Sequence, residues 1–586
     1  MENSRNFVLV LTLSLAVLLG WQWAMEYFYP QPEEVPVTAE KVDTPAEQAA
    51  VAHTRTGGLQ DPAAIAQEEA DLDVALASPS RVAIDSPRVA GSINLAGAFI
   101  DDVVLKDYAA SADENDDQPV RLFSPRGTPA QQYSQFGFLV NGQKIADDAL
   151  WSTDGEVLTQ DKPLTLTHDA GNGVELQLTY SIDDNYMLSV DQRVANRSGA
   201  PIVVQPYGLV GRTSDTASES LFIAHSGPIG AFGGGANYDY DYEDVDDARK
   251  VSPEGATDWI GFTDIYWLAA MVPDAGSTPD STFRALGGNT YRADMIYEPV
   301  TVPAGKAYST KSRLYAGAKE SEVLDSYQDA GIPQFGLAID WGWFRWFAKP
   351  LFWLLTHIFE IVGNFGVAIM ILTLIVRGAM FPIAQKQFAS MAAMKAIQPK
   401  MKALQERHKD DRVKQQQEMQ KLFKEEKVNP LAGCLPLILQ IPIFFALYKV
   451  LVLAIEMRHQ KFLYINDLSA PDPATILNLF GLLPFTPPSF LAIGILAVLL
   501  GFTMWLTFKL NPAATDPVQQ QVFSIMPWVL MFIMAPFAAG LLLYWVTSNV
   551  LTLAQQKYLY SRHPQLKAAA EKEKAEKAAA AAKAGN

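Results

Sequence analysis

Residues 368–382 read AIMILTLIVRGAMFP, an apolar run interrupted by one arginine, Arg377. A guanidinium stays charged at any physiological pH, and placing one at the centre of a membrane helix costs roughly 2.5–3.5 kcal/mol on translocon-based scales. The position therefore needs an escape route for the charge or a use for it. In both cases the run reads as a helix that meets a bilayer, and the neighbouring sequence must supply the reason for the charge.

Composition divides the chain. Over 586 residues the net charge is −18 and 49% of residues are hydrophobic. Residues 26–339 hold 20 Lys plus Arg against 48 Asp plus Glu, a net of −28, which leaves +10 on the remainder. An acidic soluble portion joined to a basic, apolar one predicts one part outside the cytoplasm and one in a bilayer. It argues against nucleic-acid binding. The single cysteine, Cys434, cannot form an intramolecular disulfide and reads as a packing residue.

The stretch FVLVLTLSLAVLLGWQWAM, 7–25, is uncharged for 19 residues and is followed by no small-x-small cleavage site. Residues 1–25 thus read as an uncleaved transmembrane anchor. Pro, Ala, Glu and Gln dominate 26–80, predicting a disordered periplasmic linker. From 81 to 335, alternating runs such as VELQLTYSI (174–182) and YMLSVDQRV (186–194), with turn signals such as DAGNG (169–173), predict an all-β sandwich. The acidic string YDYDYEDVDD, 238–247, lacks the glycine and terminal acid of a calcium loop and reads as a solvated loop. No compact acid–base pair or serine–histidine arrangement is evident, and no phosphate-binding GxxxxGK[ST] loop occurs.

From Trp341 aromatics mix with Arg345, Lys349, His357 and Glu360, predicting an interfacial amphipathic helix over 340–361. A second transmembrane helix follows at 362–382, then a cytoplasmic helical hairpin over 383–430. Apolar runs at 431–455, 489–508, 522–536 and 538–555 give transmembrane helices 3–6 within 431–556, with a basic tail over 557–586. The fold class is therefore membrane α-helical, six transmembrane helices in all, plus the all-β domain. The 383–430 loop holds eleven basic against six acidic residues and the tail from 554 seven against three, which places both in the cytoplasm. Both termini are then cytoplasmic and the β domain is periplasmic.

Gly363, Gly366, Met370, Thr373 and Arg377 recur at helical spacing and predict one stripe. Arg377 could snorkel to the headgroups. The four apolar runs after 430 contain no Asp or Glu, but they do contain Gln440, Thr503, Thr507, Thr547, Ser548, Asn549, Thr552 and Gln555. Those groups could line a wet, positively charged hollow or bond helix to helix. The lack of membrane carboxylates and of repeat symmetry weighs against an ion-coupled transporter. In the hairpin, Met391, Met394, Ile397, Met401 and Leu404 share a face, which suits either variable partners or a self-packed seam.

The segments IVRGAMFPIAQKQ (375–387), EKVNPLAGCLPLILQIPIFFALYKVL (426–451), TDPVQQQ (515–521) and GLLLYWVTSNVLTLAQQ (540–556) resemble the YidC-type membrane protein insertases, in their Gram-negative form with a large periplasmic domain. The resemblance implies a five-helix insertase core with a hydrophilic groove open to cytoplasm and lipid, Arg377 within it. It implies groove positions at Thr373 and Gln440, a substrate-contacting helix carrying Ile441, Pro442 and Phe444, and an aromatic pair Tyr544–Trp545, where relatives often have a second tyrosine. It further implies a mobile hairpin needed for function and a mutarotase-like β supersandwich in the periplasm. Neither a cofactor, a metal nor enzymatic catalysis is implied. The implied partners are nascent inner-membrane proteins, Sec translocon components, ribosome–nascent chain complexes and the lipid bilayer of the bacterial inner membrane. The rival reading is a membrane-anchored periplasmic carbohydrate-binding or carbohydrate-active protein.

Overall fold

The computed structural model describes residues 71–112, 118–218, 224–342, 345–408, 411–426, 435–480, 483, 492–510 and 517–562. The expected anchor over 1–25, most of the expected linker, Cys434 and most of the expected tail lie outside the described residues. The last linker positions include a short helix, α1 (Leu72–Leu76), whose N-cap Asp71 accepts from the Asp73 and Val74 amides.

Strands from Arg81 to Ala318 build a twelve-stranded and a nine-stranded sheet. In the larger sheet the strand Gln132–Val140 pairs antiparallel with Ile202–Thr213, with Phe136 opposite Gly208. In the smaller sheet Met187–Asn196 lies between Val174–Ile182 and Lys306–Ala318. The VELQLTYSI strand buries alternate residues, because one face meets the core while the other meets solvent. Leu176, Leu178 and Tyr180 join Phe136, Phe138 and Val210 in one buried cluster, so the sheets share a core. The DAGNG turn closes with Gly171, Asn172 and Gly173 all at positive φ, and Asp169 accepts from the Gly171 amide.

The acidic string is not simply a loop. Its second half forms α2 (Tyr242–Ala248), where the Asp241 side chain accepts from the Asp244 amide at 2.9 Å and Asp244 accepts from the Asp241 amide at 2.9 Å. This reciprocal capping satisfies two amide donors that the helix leaves free, and carboxylates suit that end of its dipole. No group of metal-ligating side chains occurs among the described residues.

The chain leaves the sheets through α3 (Ser321–Asp329) and a 3₁₀ turn at Phe335–Ala338. Arg88 binds Glu320 just before α3, with Nη2 to Oε1 at 2.5 Å, and the hydroxyls of Tyr108 and Tyr186 donate to the same carboxylate oxygen. The helical region follows: α4 (Arg345–Val362), α5 (Phe365–Ala379), α6 (Phe381–Arg407), α7 (Arg412–Glu425), α8 (Leu435–Leu453), α9 (Ile495–Leu510), α10 (Pro517–Met534) and α11 (Ala539–Arg562). Three cations fasten it to the β domain. Lys349 bonds Asp325 at 2.8 Å, Lys449 bonds Asp340 at 2.5 Å, and Arg458 donates to the Ala109 and Ala110 carbonyls while its guanidinium lies over Trp267.

On α4 the side chains of Ala348, Leu351, Phe352, Leu355 and Ile358 are buried while Trp346, Trp353 and Ile361 are exposed. Gly363 takes φ +66° and ends α4, Asn364 caps α5 by accepting from the Val367 amide at 3.1 Å, and Phe359 stacks on Phe365. Gly363 thus belongs to the junction and not to the expected Arg377 stripe, because a left-handed glycine is the usual way to stop a helix. Among the described residues no helix is long and apolar enough to cross a membrane. The run expected at 362–382 is divided: α5 has 15 residues, about 22 Å at 1.5 Å per residue, and Met380 separates it from α6.

Candidate substrate groove

Four helices, α5, α8, α9 and α11, bring the candidate residues together, and α11 is the element they share. Tyr544 and Ser548 are four residues apart, hence one above the other on a single face of α11. Towards Ser548 comes Arg377 from the last turn of α5: its Nε donates to the Ser548 hydroxyl at 2.9 Å, and Nη2 donates to the same oxygen. Towards Tyr544 comes Gln440 of α8, whose Nε2 donates to the phenolic oxygen at 2.8 Å. The Gln555 amide, nearly two turns further along α11, donates to the Arg377 carbonyl at 3.4 Å. Arg377 is therefore turned inward to a hydroxyl, and no carboxylate among the described residues pairs with it. Five N–H donors against one accepting oxygen leave hydrogen-bonding capacity for an incoming anion or water.

The remaining positions divide by contact. Thr373, one turn before Arg377, is fully buried and donates to the Ile369 carbonyl of its own helix at 2.6 Å. Beside Gln440, Ile441 is exposed and Pro442 half-buried, while the Phe444 ring lies 4.9 Å from Trp545 and 6.1 Å from Tyr448. The Tyr544–Trp545 pair is thus split: Tyr544 points to the polar side and Trp545 packs against α8. Of the other polar groups, Asn549 donates to Thr503 of α9 at 3.1 Å, and Thr507 and Thr552 bond carbonyls of their own helices. These three join helix to helix or to themselves, as isolated membrane polar groups commonly do.

In the sequence Ser548 is one of several polar groups that could line a hollow or bond helix to helix, and nothing there singles it out as the partner of Arg377. The available signal was its i, i+4 spacing from Tyr544. In the hairpin, Ile397 and Met401 are buried against Met419, Leu422 and Phe423 of α7, which makes this part of the face a self-packed seam. Leu404 is half-buried, and the side chains of Met391 and Met394 lie outside the described residues.

The YidC periplasmic domain model matches residues 81–354 and the 60Kd inner membrane protein model residues 357–567. A membrane protein insertase YidC from Beijerinckia indica is 41% identical over 586 residues, covering 96% of each chain. The chain belongs to the YidC family. Another YidC insertase, from Zymomonas mobilis, is 42% identical over 576 residues with the same 96% coverage of both chains. A crystal structure of an active YidC insertase with its first transmembrane domain resolved is 18% identical, covers 81% of this chain and 92% of its own, and aligns with a TM-score of 0.35. As a YidC-family member the chain is a membrane protein insertase of the inner membrane, non-enzymatic, whose substrates are nascent membrane proteins and whose medium is lipid.

Proposed function

We propose that α5, α8, α9, α10 and α11 form a five-helix core around a hydrophilic groove, and that Arg377 in this groove attracts the polar, often acidic, segment of a substrate. The observation that carries the reading is the shared face of α11, which holds both the Arg377 guanidinium and the Gln440 amide while Ile441 stays exposed beside them. The apolar part of the substrate slides past Ile441, Pro442 and Phe444 into lipid. Desolvation of the polar segment is thereby divided into smaller steps, and burial of about 20 apolar residues drives the last one.

In this reading the chain crosses the inner membrane six times with both termini cytoplasmic, the β domain is periplasmic, and the hairpin α6–α7 moves as a cytoplasmic unit. Helices shorter than the bilayer core meet it by local thinning and through flanking residues. Simple substrates are handled by the protein alone, others with Sec translocon components, and ribosome–nascent chain complexes deliver them. The test places a photo-crosslinker at 440 and 441, stalls a ribosome-bound single-span substrate midway, and asks whether the nascent helix becomes attached. Attachment sites that move along the substrate as the chain lengthens support the groove. No attachment at normal protein levels overturns it.

A further inference from the structure

The loop between α8 and α9 presents large apolar side chains to the outside on a rigid frame. Leu463, Ile476, Leu477, Leu479, Phe480 and Leu483 are all exposed, Leu463 to 83% and Phe480 to 56%. Three of them sit at positive φ: Leu463 at 55°, Leu479 at 51° and Phe480 at 61°. Bulky side chains rarely adopt this region, and backbone strain persists only where the surrounding structure over-determines it. Here the frame is Asp472. Its Oδ1 accepts from the Ala474 amide at 3.0 Å, and its Oδ2 accepts from the Leu496 amide at 2.8 Å and from the Tyr464 hydroxyl at 3.1 Å. One buried carboxylate thus ties the tip at 463–464, the start of the second tip and the first turn of α9. Gly494 leaves the space for it, since a Cβ there would meet Asp472 at 2.5 Å.

The second tip closes its hydrogen bonds on itself. The Ile476 amide donates to the Ile493 carbonyl, Leu479 to Ile476, Phe480 to Thr475 and Leu483 to Asn478. Internal satisfaction of this kind is what a non-helical segment requires where water is scarce. The sequence agrees, for no charged residue occurs from Pro473 through Phe508. The apolar stretch therefore begins at the tip and not at α9, and Leu499 and Phe502 of α9 are exposed as well.

We infer that the two tips, Leu463 and Ile476–Phe480, are seated in the outer leaflet of the bilayer and form an apolar anchor beside the end of α9. The inference rests on the membrane orientation proposed above. Lipid is the occupant that fits, because the second tip is uncharged and its chain leads directly into the apolar helix α9.

The test uses the full chain in nanodiscs of phosphatidylethanolamine and phosphatidylglycerol. In a Cys434→Ser background, an environment-sensitive fluorophore is attached at Phe480→Cys, at Phe502→Cys within α9, and at the exposed Glu322→Cys on the β domain. Label at 480 should emit to the blue of label at 322 and lose intensity with nitroxide lipids, but not with aqueous iodide. Leu477→Cys should report the same, which guards against a local effect of replacing Phe480. If 502 reads lipid while 480 and 477 are quenched by iodide, the anchor is overturned and the orientation stands. If 502 is also quenched by iodide, both fall. Protection at 480 and 477 from lipid nitroxide and iodide alike would mean that protein covers the tip, which also overturns the anchor.

Discussion

The Arg377 guanidinium turns inward and shares one hydroxyl, that of Ser548, between its Nε at 2.9 Å and its Nη2. A cation held this way has direction without neutralisation. Hydrogen bonds to charged groups contribute about 1.5–3 kcal/mol when buried and less where water enters. Ser548→Ala should therefore lower insertion of a single-span substrate with acidic outer residues, Ser548→Thr should restore much of it, and a substrate with a neutral outer segment should respond little. Insertion into proteoliposomes, read by protease protection, measures all three. An equal loss for both substrates would assign Ser548 to packing alone.

Replacing the arginine separates charge from shape. If attraction is the mechanism, Arg377→Lys keeps much of the activity on acidic substrates and Arg377→Ala loses it. Equal defects in the same proteoliposome assay would point instead to the planar, forked geometry that lysine lacks.

Tyr544→Phe removes the oxygen that accepts from Gln440 at 2.8 Å while keeping the ring. A partly buried amide deprived of its partner costs about 1–3 kcal/mol. The expected result is a lower midpoint of thermal unfolding for the full chain in detergent. Gln440→Leu added to Tyr544→Phe should recover part of that loss, because the orphaned donor is gone.

The junction between the β domain and the helices is expected to be pH-sensitive. Burial pushes the Glu456 carboxyl up to about 7, and the carboxylates of Glu320 and Glu322 push it the same way. From the ordinary glutamate range up to about 7 the folded chain holds a proton that the unfolded chain has released. The stability this gives is fully present below that window and is lost as pH rises through it. Unfolding midpoints between about pH 5 and about pH 8 should fall with rising pH, and Glu456→Gln should flatten the slope. An unchanged slope in Glu456→Gln would exclude this carboxyl as the source.

What could be read from the sequence follows the range of the interaction. VELQLTYSI is a half-buried strand because its period of two is local, and the turn at 169–173 announces itself through glycines that accept positive φ. The capping pair Asp241 and Asp244 is equally local, yet it stood in so acidic a string that charge hid the cap. Gly363 misled for a related reason: the spacing of a stripe says nothing about whether the helix is continuous, and a left-handed glycine had ended it. Most of the site was visible only as residue types. Arg377 and Ser548 lie 171 residues apart in sequence, and no periodicity links them. Which polar residue would hold the arginine and which would merely bond a neighbouring helix depended on how α5, α8 and α9 dock against α11.

That docking has a mechanical corollary. Because Tyr544 and Ser548 stand on one face of α11, turning that helix by the width of one residue, about 100°, would carry both hydroxyls away together. Gln440 and Arg377 would be let go in the same movement. The last helix can thus work as a cam, with the grip on amide and guanidinium engaged or disengaged as one.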